Sequence, residues 1–350
     1  MKQLFISLLF TIAFNITRAQ GDAKQLIGEG VALHDKGDFK GAIAKYDAAL
    51  QVDPANSLAM YEKSYSLMAL KKYDDAEELL GKILKESKDP DIRKLCYVNY
   101  GSLLDFEGKE KKSLKLYEDG IKEFPDDYLL YYNKGVTEAG MNETDDAIKS
   151  FEQALSRNPR HASSHNALGR IMAPKNRIPA ILSMFSFLLI EPEGDRASQN
   201  IALLDKLIMR GIEKKDDKNV IINIDASLLD KKNKREEDDF SSAELMLSLL
   251  AANNDVPDSI GAKTDADRLS YKLQMLTDII DETNKKEKGF YKNFYVPLFS
   301  AMKEKDFFTT ACYVALTSSG KKDNDQWLNE NKSRVDKFFE WFEKYQWTKE

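Results

Sequence analysis

His161 and His165 stand four residues apart, a spacing that sets two imidazoles on one face of a helix, as a zinc site requires. No glutamate or third ligand accompanies them by motif, so the same spacing suits one histidine packed in a core and one at a turn. His34 stands alone. Cys96 and Cys312 each lie in an apolar helical run, far apart in sequence, and read as two buried thiols. In an oxidising compartment they could also pair, because spacing carries no geometry. There is no G-x-S-x-G elbow, no glycine-rich phosphate loop after a strand, and no cysteine beside a histidine partner. With 58 Asp and Glu in the chain, a catalytic carboxylate pair does not stand out from the solvated background. These residues point away from an enzyme and toward a chain with no cofactor and no metal.

The elements that carry them belong to a folded protein of two-domain size: 350 residues, 42% hydrophobic and 31% charged. The net charge is −6 with both signs mixed along the chain, which offers no basic field to a phosphate backbone and excludes nucleic acid as a partner. Residues 1–19 combine Lys2, an apolar run from Leu4 to Ile16 and the small-x-small ending Thr17-Arg18-Ala19. They read as a cleavable signal peptide cut after Ala19, with no cysteine there to make a lipoprotein. The run is too short to span a bilayer and no other segment is apolar enough, so the expected mature chain is secreted or periplasmic.

A period runs through the next part. Pro54, Pro90, Pro125, Pro159 and Pro192 fall at steps of 36, 35, 34 and 33 residues, each after an amphipathic run. Between them a two-helix pattern returns. A small residue sits in the first helix (Gly30, Ser64, Gly101, Gly135, Gly169) and another opens the second (Ala42, Ala76, Ser113, Ala147, Ala180). Four residues later comes a large one (Tyr46, Leu80, Tyr117, Phe151, Met184). Small side chains let paired helices approach, and the large one fills the space between hairpins. One hairpin cannot bury its apolar face, but a stack of them can.

At these residues the sequence resembles the tetratricopeptide repeat (TPR) family, a 34-residue helical hairpin with small, aromatic and proline residues at set positions. Five units cover about 22–194. The second departs from the pattern at Ile83 and Lys88, and the fifth has His165 at an aromatic position. The resemblance implies an all-α helical-hairpin solenoid over 20–194 whose concave groove is lined by the first helix of each unit and binds peptide or protein segments. The implied groove positions are Lys24, Ile27, Val31, His34 and Asp35 in the first unit, and Leu58, Tyr61, Tyr65, Met68 and Ala69 in the second. Leu95, Val98, Ser102, Asp105 and Phe106 follow in the third, and Leu129, Tyr132, Val136, Ala139 and Gly140 in the fourth. Ser163, Asn166, Arg170, Ala173 and Pro174 close the fifth. Family members that clamp a C-terminal carboxylate carry lysine and asparagine where this chain has Ile27 and Val31, so that clamp is not implied. The row Tyr61, Tyr65, Phe106 and Tyr132 implies an apolar ligand segment instead, and the implied ligand groove also takes in Met68, Asn166 and Arg170. The other reading of the row is contact with the protein's own C-terminal domain.

PAILSMFSFLLI, 179–190, is apolar on every side, whereas a helix that caps a solenoid should show water one polar face. Something must cover it, and residues 195–350 are expected to form a docked, mostly helical domain. Within it 218–229 is strand-like through Val220, Ile222 and Ile224 without an evident partner, and 230–239 is a charged, solvated loop. Ser241-Ser242-Ala243-Glu244 has the pattern of a capping box. Helices follow near 241–252, 269–280, 290–299 (kinked at Pro297), 307–318 and from Ser333, with Trp327, Trp341 and Trp347 near the last. The pairing of 177–194 with 327–347 is similar to a group of secreted bacterial TPR proteins of unassigned activity. Two classes of function remain: an extracytoplasmic adaptor that binds a protein or peptide in its groove, and a carbohydrate-handling envelope protein whose C-terminal aromatics stack on sugars. Exposure of the three tryptophans beside carboxylates separates them.

Overall fold

In the computed structural model, residues 21–215, 219–224, 237–252, 264–283 and 288–347 are described. The expected cleavage site, the strand-like 225–229, most of the charged loop 230–239 and residues 253–263 lie outside them. The chain divides into two compact units, residues 1–147 and 148–350. The repeat pattern ends near 194, so this division falls inside the repeat array.

The first unit is a succession of helical hairpins: α1 (21–35) with α2 (Phe39–Val52), α3 (Ser57–Ala69) with α4 (Tyr73–Glu86), and α5 (Pro90–Phe106) with α6 (Glu110–Glu123). Then come α7 (Tyr128–Gly140) and the start of α8 (Thr144–Arg157). Each hairpin starts and turns by local chemistry. Asn56, Asp89 and Asp127 cap α3, α5 and α7 by accepting backbone N–H bonds, and Pro90 takes the first turn of α5, where no N–H is needed. Gly37, Lys71, Gly108 and Asn142 all adopt positive φ at the turn inside their hairpin. The lysine and asparagine carry the strain that glycine avoids.

The small-plus-aromatic pattern works as its spacing suggests. A Cβ on Gly30 would lie 2.4 Å from the Tyr46 ring, and one on Gly101 would lie 2.3 Å from that of Tyr117. Only glycine admits these rings, and both tyrosines are fully buried. The clusters also join neighbouring hairpins: Ala59 of α3 packs with Ile27, Ala42, Tyr46 and Ala49 of the first, and Ile92, Cys96 and Leu103 of α5 pack with Leu80 and Ile83 of the second. Ile83, large where the pattern is small, is itself core.

The second unit holds the end of α8, then α9 (Ala162–Met172), α10 (Arg177–Ile190) and α11 (Asp195–Ile208). A short hairpin follows, β1 (Ile212–Lys214) antiparallel to β2 (Val220–Ile222), with Ile212 opposite Ile222. The chain continues through α12 (Ser241–Ala252), α13 (Asp265–Thr283), α14 (Phe290–Phe294), α15 (Val296–Glu304) and α16 (Phe308–Ala315). A 3-10 turn (Thr317–Ser319), α17 (Lys322–Glu330) and α18 (Lys332–Lys344) complete it. Residues 177–189 of α10 are all buried, enclosed by α9, α11, α12 and α16. The C-terminal helices therefore dock on the fifth hairpin, as the apolar 179–190 requires. No described helix is long and apolar enough to cross a membrane.

Several local features of this half differ from those expected. The strand-like segment has a partner: β1, which follows Gly211 in a left-handed conformation (φ +80) where a Cβ would strike the Asn223 carbonyl. Pro297 does more than kink a helix, because it sits in the first turn of a separate one, α15. Asp238 and Asp239 are not solvated loop charges. The Asp238 carboxylate accepts the N–H groups of Tyr291 (3.2 Å) and Lys292 (2.9 Å) at the start of α14, and Asp239 accepts from Ser241 N–H and Oγ at the start of α12. Nor does Glu244 serve Ser241 in a capping box, since its carboxylate turns to the first residues of α10.

Candidate functional site

The first helices of the hairpins lie side by side in the first unit, α3 against α5 and α5 against α7. The α1 and α3 helices are joined by a 2.8 Å hydrogen bond between His34 Nδ1 and Ser66 Oγ. Six large apolar residues are exposed among the described residues of this unit: Val52, Leu58, Tyr65, Leu95, Phe106 and Val136. All but Val52 occupy positions expected to line the groove. Phe106 is 72% exposed, with one side against Tyr73 (ring centroids 5.4 Å apart), and Tyr65 is 41% exposed. Met68 and Tyr132 are half-buried.

Tyr61 does not belong to the open row. It is only 8% exposed, and its hydroxyl accepts a hydrogen bond from Asn99 on α5. Burial holds its phenol far above the usual tyrosine range. Tyr61 positions rather than presents: Phe39, His34, Tyr65 and Tyr61 form a continuous run of rings with centroids 5.0, 6.0 and 5.9 Å apart. Asn166 and Arg170 belong to the second unit, where Arg170 bonds Asn166 Oδ1 (3.2 Å) and Gln199 Oε1 (3.1 Å).

Glu62 and Asn99, one place after Tyr61 and Val98, were not among the expected positions. The repeat period was the available signal, since both occupy the same place in consecutive units. Burial raises the Glu62 carboxyl, while nearby His34 lowers it and Asp35 raises it further.

The histidine pair is structural. His165 is fully buried, with Nε2 2.8 Å from the Pro159 carbonyl and Nδ1 2.9 Å from the Tyr295 hydroxyl. Both nitrogens are engaged, so Nε2–H donates to the carbonyl and Nδ1 accepts from the tyrosine. His161 Nδ1 pairs with Ser164 Oγ at 2.8 Å. Cys96 and Cys312 are free, buried thiols, and burial pushes that of Cys96 up to about 12.

Burial also depresses His165 to about 4. The unfolded chain, with an ordinary histidine near 6.5, therefore binds the proton first, and stability is lost as pH falls from 6.5 toward 4. At pH 5 the loss is about 2 kcal/mol, opposed by Glu62 and Glu244, whose raised carboxyls act in the other direction. Burial depresses His161 to about 4 as well, so urea unfolding at pH 7 and pH 5 checks this, with His165→Gln expected to reduce the difference and His161→Gln combined with it to abolish most of it. Equal pH dependence in the original and the His165→Gln protein would rule it out.

The tryptophans mainly face other rings. Trp347 is 7% exposed against Phe294 and His165, Trp341 packs with Phe307, Phe338 and Tyr345, and Trp327 stacks on Tyr313 at 3.9 Å. A cleft of about 820 Å³ lies between α11, the start of α13 and the turn at 316–321, and none of the three lines it. Its Arg268 and Lys321 both bind Asp265.

Tetratricopeptide-repeat family patterns match residues 33–96 and 132–179. Similar proteins include the protein STIP1 homolog of Dictyostelium discoideum, 26% identical over 37% of this chain and 28% of its own length. The TPR repeat-containing protein PA4667 of Pseudomonas aeruginosa is 25% identical over 37% of this chain and 22% of its own length. The match thus spans about a quarter of these relatives. Among solved structures, pilF of Pseudomonas aeruginosa aligns with a TM-score of 0.47 at 18% identity over 54% of this chain and 84% of its own. YrrB aligns at 0.38 and 22% identity over 53% and 93%. With the repeat period, the glycine–tyrosine contacts and the sequence matches together, the chain carries tetratricopeptide repeats over these residues.

Proposed function

We propose that this protein is an extracytoplasmic adaptor that holds a segment of a partner protein along the exposed row of α1, α3, α5 and α7. Tetratricopeptide repeats are interaction modules, typically without catalysis, and bind protein partners. The observation that carries the reading is the row itself: five of the six exposed large apolar residues among the described residues of the first unit fall at groove positions. Apolar side chains exposed at such positions suit a binding site. Location outside the cytoplasm, in the cell envelope, rests on residues 1–19, whose charge, apolar run and Ala19 ending suit a signal peptide.

The carbohydrate reading draws less support, because the tryptophan faces it needs pack against other aromatics.

The test uses Tyr65→Ala combined with Phe106→Ala, leaving the buried Tyr61 in place. Interface energy concentrates in a few aromatics of about 2 kcal/mol each, so the pair should weaken capture of the native envelope partner by more than ~10-fold with unchanged helical circular dichroism. Undiminished capture would remove the groove assignment. Purified from the envelope, the protein should begin at Gln20; an intact N-terminus there would overturn the signal-peptide reading.

A further inference from the structure

The groove reading leaves the chemistry of the bound segment open, and the charges beside the row address it. Several carboxylates of the first unit meet a cation: Glu29 meets Lys45 (2.5 Å), Asp47 meets Lys63 (2.6 Å), Glu77 meets Lys109 (2.8 Å) and Glu123 meets Arg93 (2.5 Å). Asp35, Glu62 and Asp105 are carboxylates that stand at or beside groove positions, and none has an ion pair among the described residues. Glu62 is half-buried, with Asp35 and His34 close enough to shift its carboxyl. A carboxylate partly removed from water gains from a further cation, since only the His34 imidazole stands near it. The only Lys or Arg among the expected groove positions of the first four hairpins is Lys24, in the first turn of α1.

Next to these carboxylates lie ring faces. The His34 ring is 6.0 Å from that of Tyr65, which is 41% exposed, and Phe106 follows Asp105 directly on α5. An anionic group next to exposed aromatic rings suits a cationic side chain, which gains from both the charge and the ring face.

Resting on the groove reading above, we propose that the bound partner is a basic, apolar peptide segment, with a Lys or Arg flanked by aromatic or aliphatic residues. Its cation sits at Asp35 and Glu62 beside Tyr65, and its apolar side chains lie along Leu58, Leu95, Phe106 and Val136. Complementary charge sets which segments are accepted and excludes acidic ones, while the apolar row supplies contact area.

The experiment selects displayed random twelve-residue peptides on the whole immobilised chain, then measures each enriched peptide by fluorescence anisotropy. Enriched peptides should carry Lys or Arg next to aromatic or aliphatic residues. They should lose about tenfold or more in affinity with Asp35→Asn combined with Glu62→Gln, and the loss should shrink at high salt. Peptides that require Tyr65 and Phe106 but lack a basic residue, or ignore the two amide substitutions, would overturn this inference and leave the groove reading standing. If no selected peptide responds to Tyr65→Ala with Phe106→Ala, the groove reading fails as well. Concentration-dependent dimerisation abolished by that same pair would make a second copy the occupant and also overturn the proposal. Unchanged circular dichroism and urea midpoint certify each variant as folded.

Discussion

Replacing Arg177 by Ala is expected to lower the unfolding free energy by about 3–5 kcal/mol, because it strands a buried carboxylate. Arg177 opens α10 and is 3% exposed. Its Nη1 lies 3.0 Å from Ser248 Oγ and 3.7 Å from the Glu244 carboxylate on α12, and its Nη2 donates to the Ile208 carbonyl at the end of α11. The backbone N–H groups of Arg177 and Ile178 also face Glu244 and lower its carboxyl. One guanidinium thus ties three helices. Burial lowers Arg177 to about 10, Glu244 raises it and Arg210 lowers it further. Burial pushes the Glu244 carboxyl up, against the pull of Arg177 and Arg210. Without Arg177, Glu244 stays buried with less compensation, so Arg177→Met combined with Glu244→Leu should cost much less than Arg177→Ala alone. Urea denaturation of the variants measures the coupling. An Arg177→Ala protein within 1 kcal/mol of the original, a threshold of about fivefold in the folding equilibrium, would refute this role.

A chain that ends at Gly194 should aggregate. The cut follows the repeat boundary but removes α11, α12 and α16, which cover α10. Ile181, Phe185, Phe187, Leu188 and Leu189, each at most 1% exposed, would face water over much of their surface. Each represents about 1.5–3 kcal/mol of burial, and the resulting patch favours self-association. Size-exclusion chromatography with light scattering should show large species, and a hydrophobic dye should bind strongly. A monodisperse monomer would sink the docked-domain account.

Both expectations depend on partners distant in sequence, and this separates what was legible early from what was not. Hairpin pairing was legible because its determinants are local and repeated. Gly30 with Tyr46 and Gly101 with Tyr117 each lie within one unit and recur with the period. The all-apolar 179–190 announced a cover, since a helix without a polar face cannot border water. The candidate site was partly legible. Leu58, Tyr65, Leu95, Phe106 and Val136 are exposed at positions set by the repeat, but the same register also put Tyr61 on the surface, and it is buried.

By itself, then, the sequence determined the repeating hairpins, their turns and caps, the positions that could face a ligand, and the need for a C-terminal cover. Helix periodicity and capping act over three or four residues, and a composition pattern records them directly. Tertiary structure alone decided which groups use those positions. Asn99 reaches the Tyr61 hydroxyl from the next hairpin, β1 supplies the strand partner after Gly211, and Asp238 caps α14 more than fifty residues on. Glu244, patterned for its own helix, instead joins Arg177 and the start of α10. A buried polar group takes whichever partner lies within hydrogen-bond reach after packing, and that distance is set by helices meeting across the core rather than by spacing along the chain.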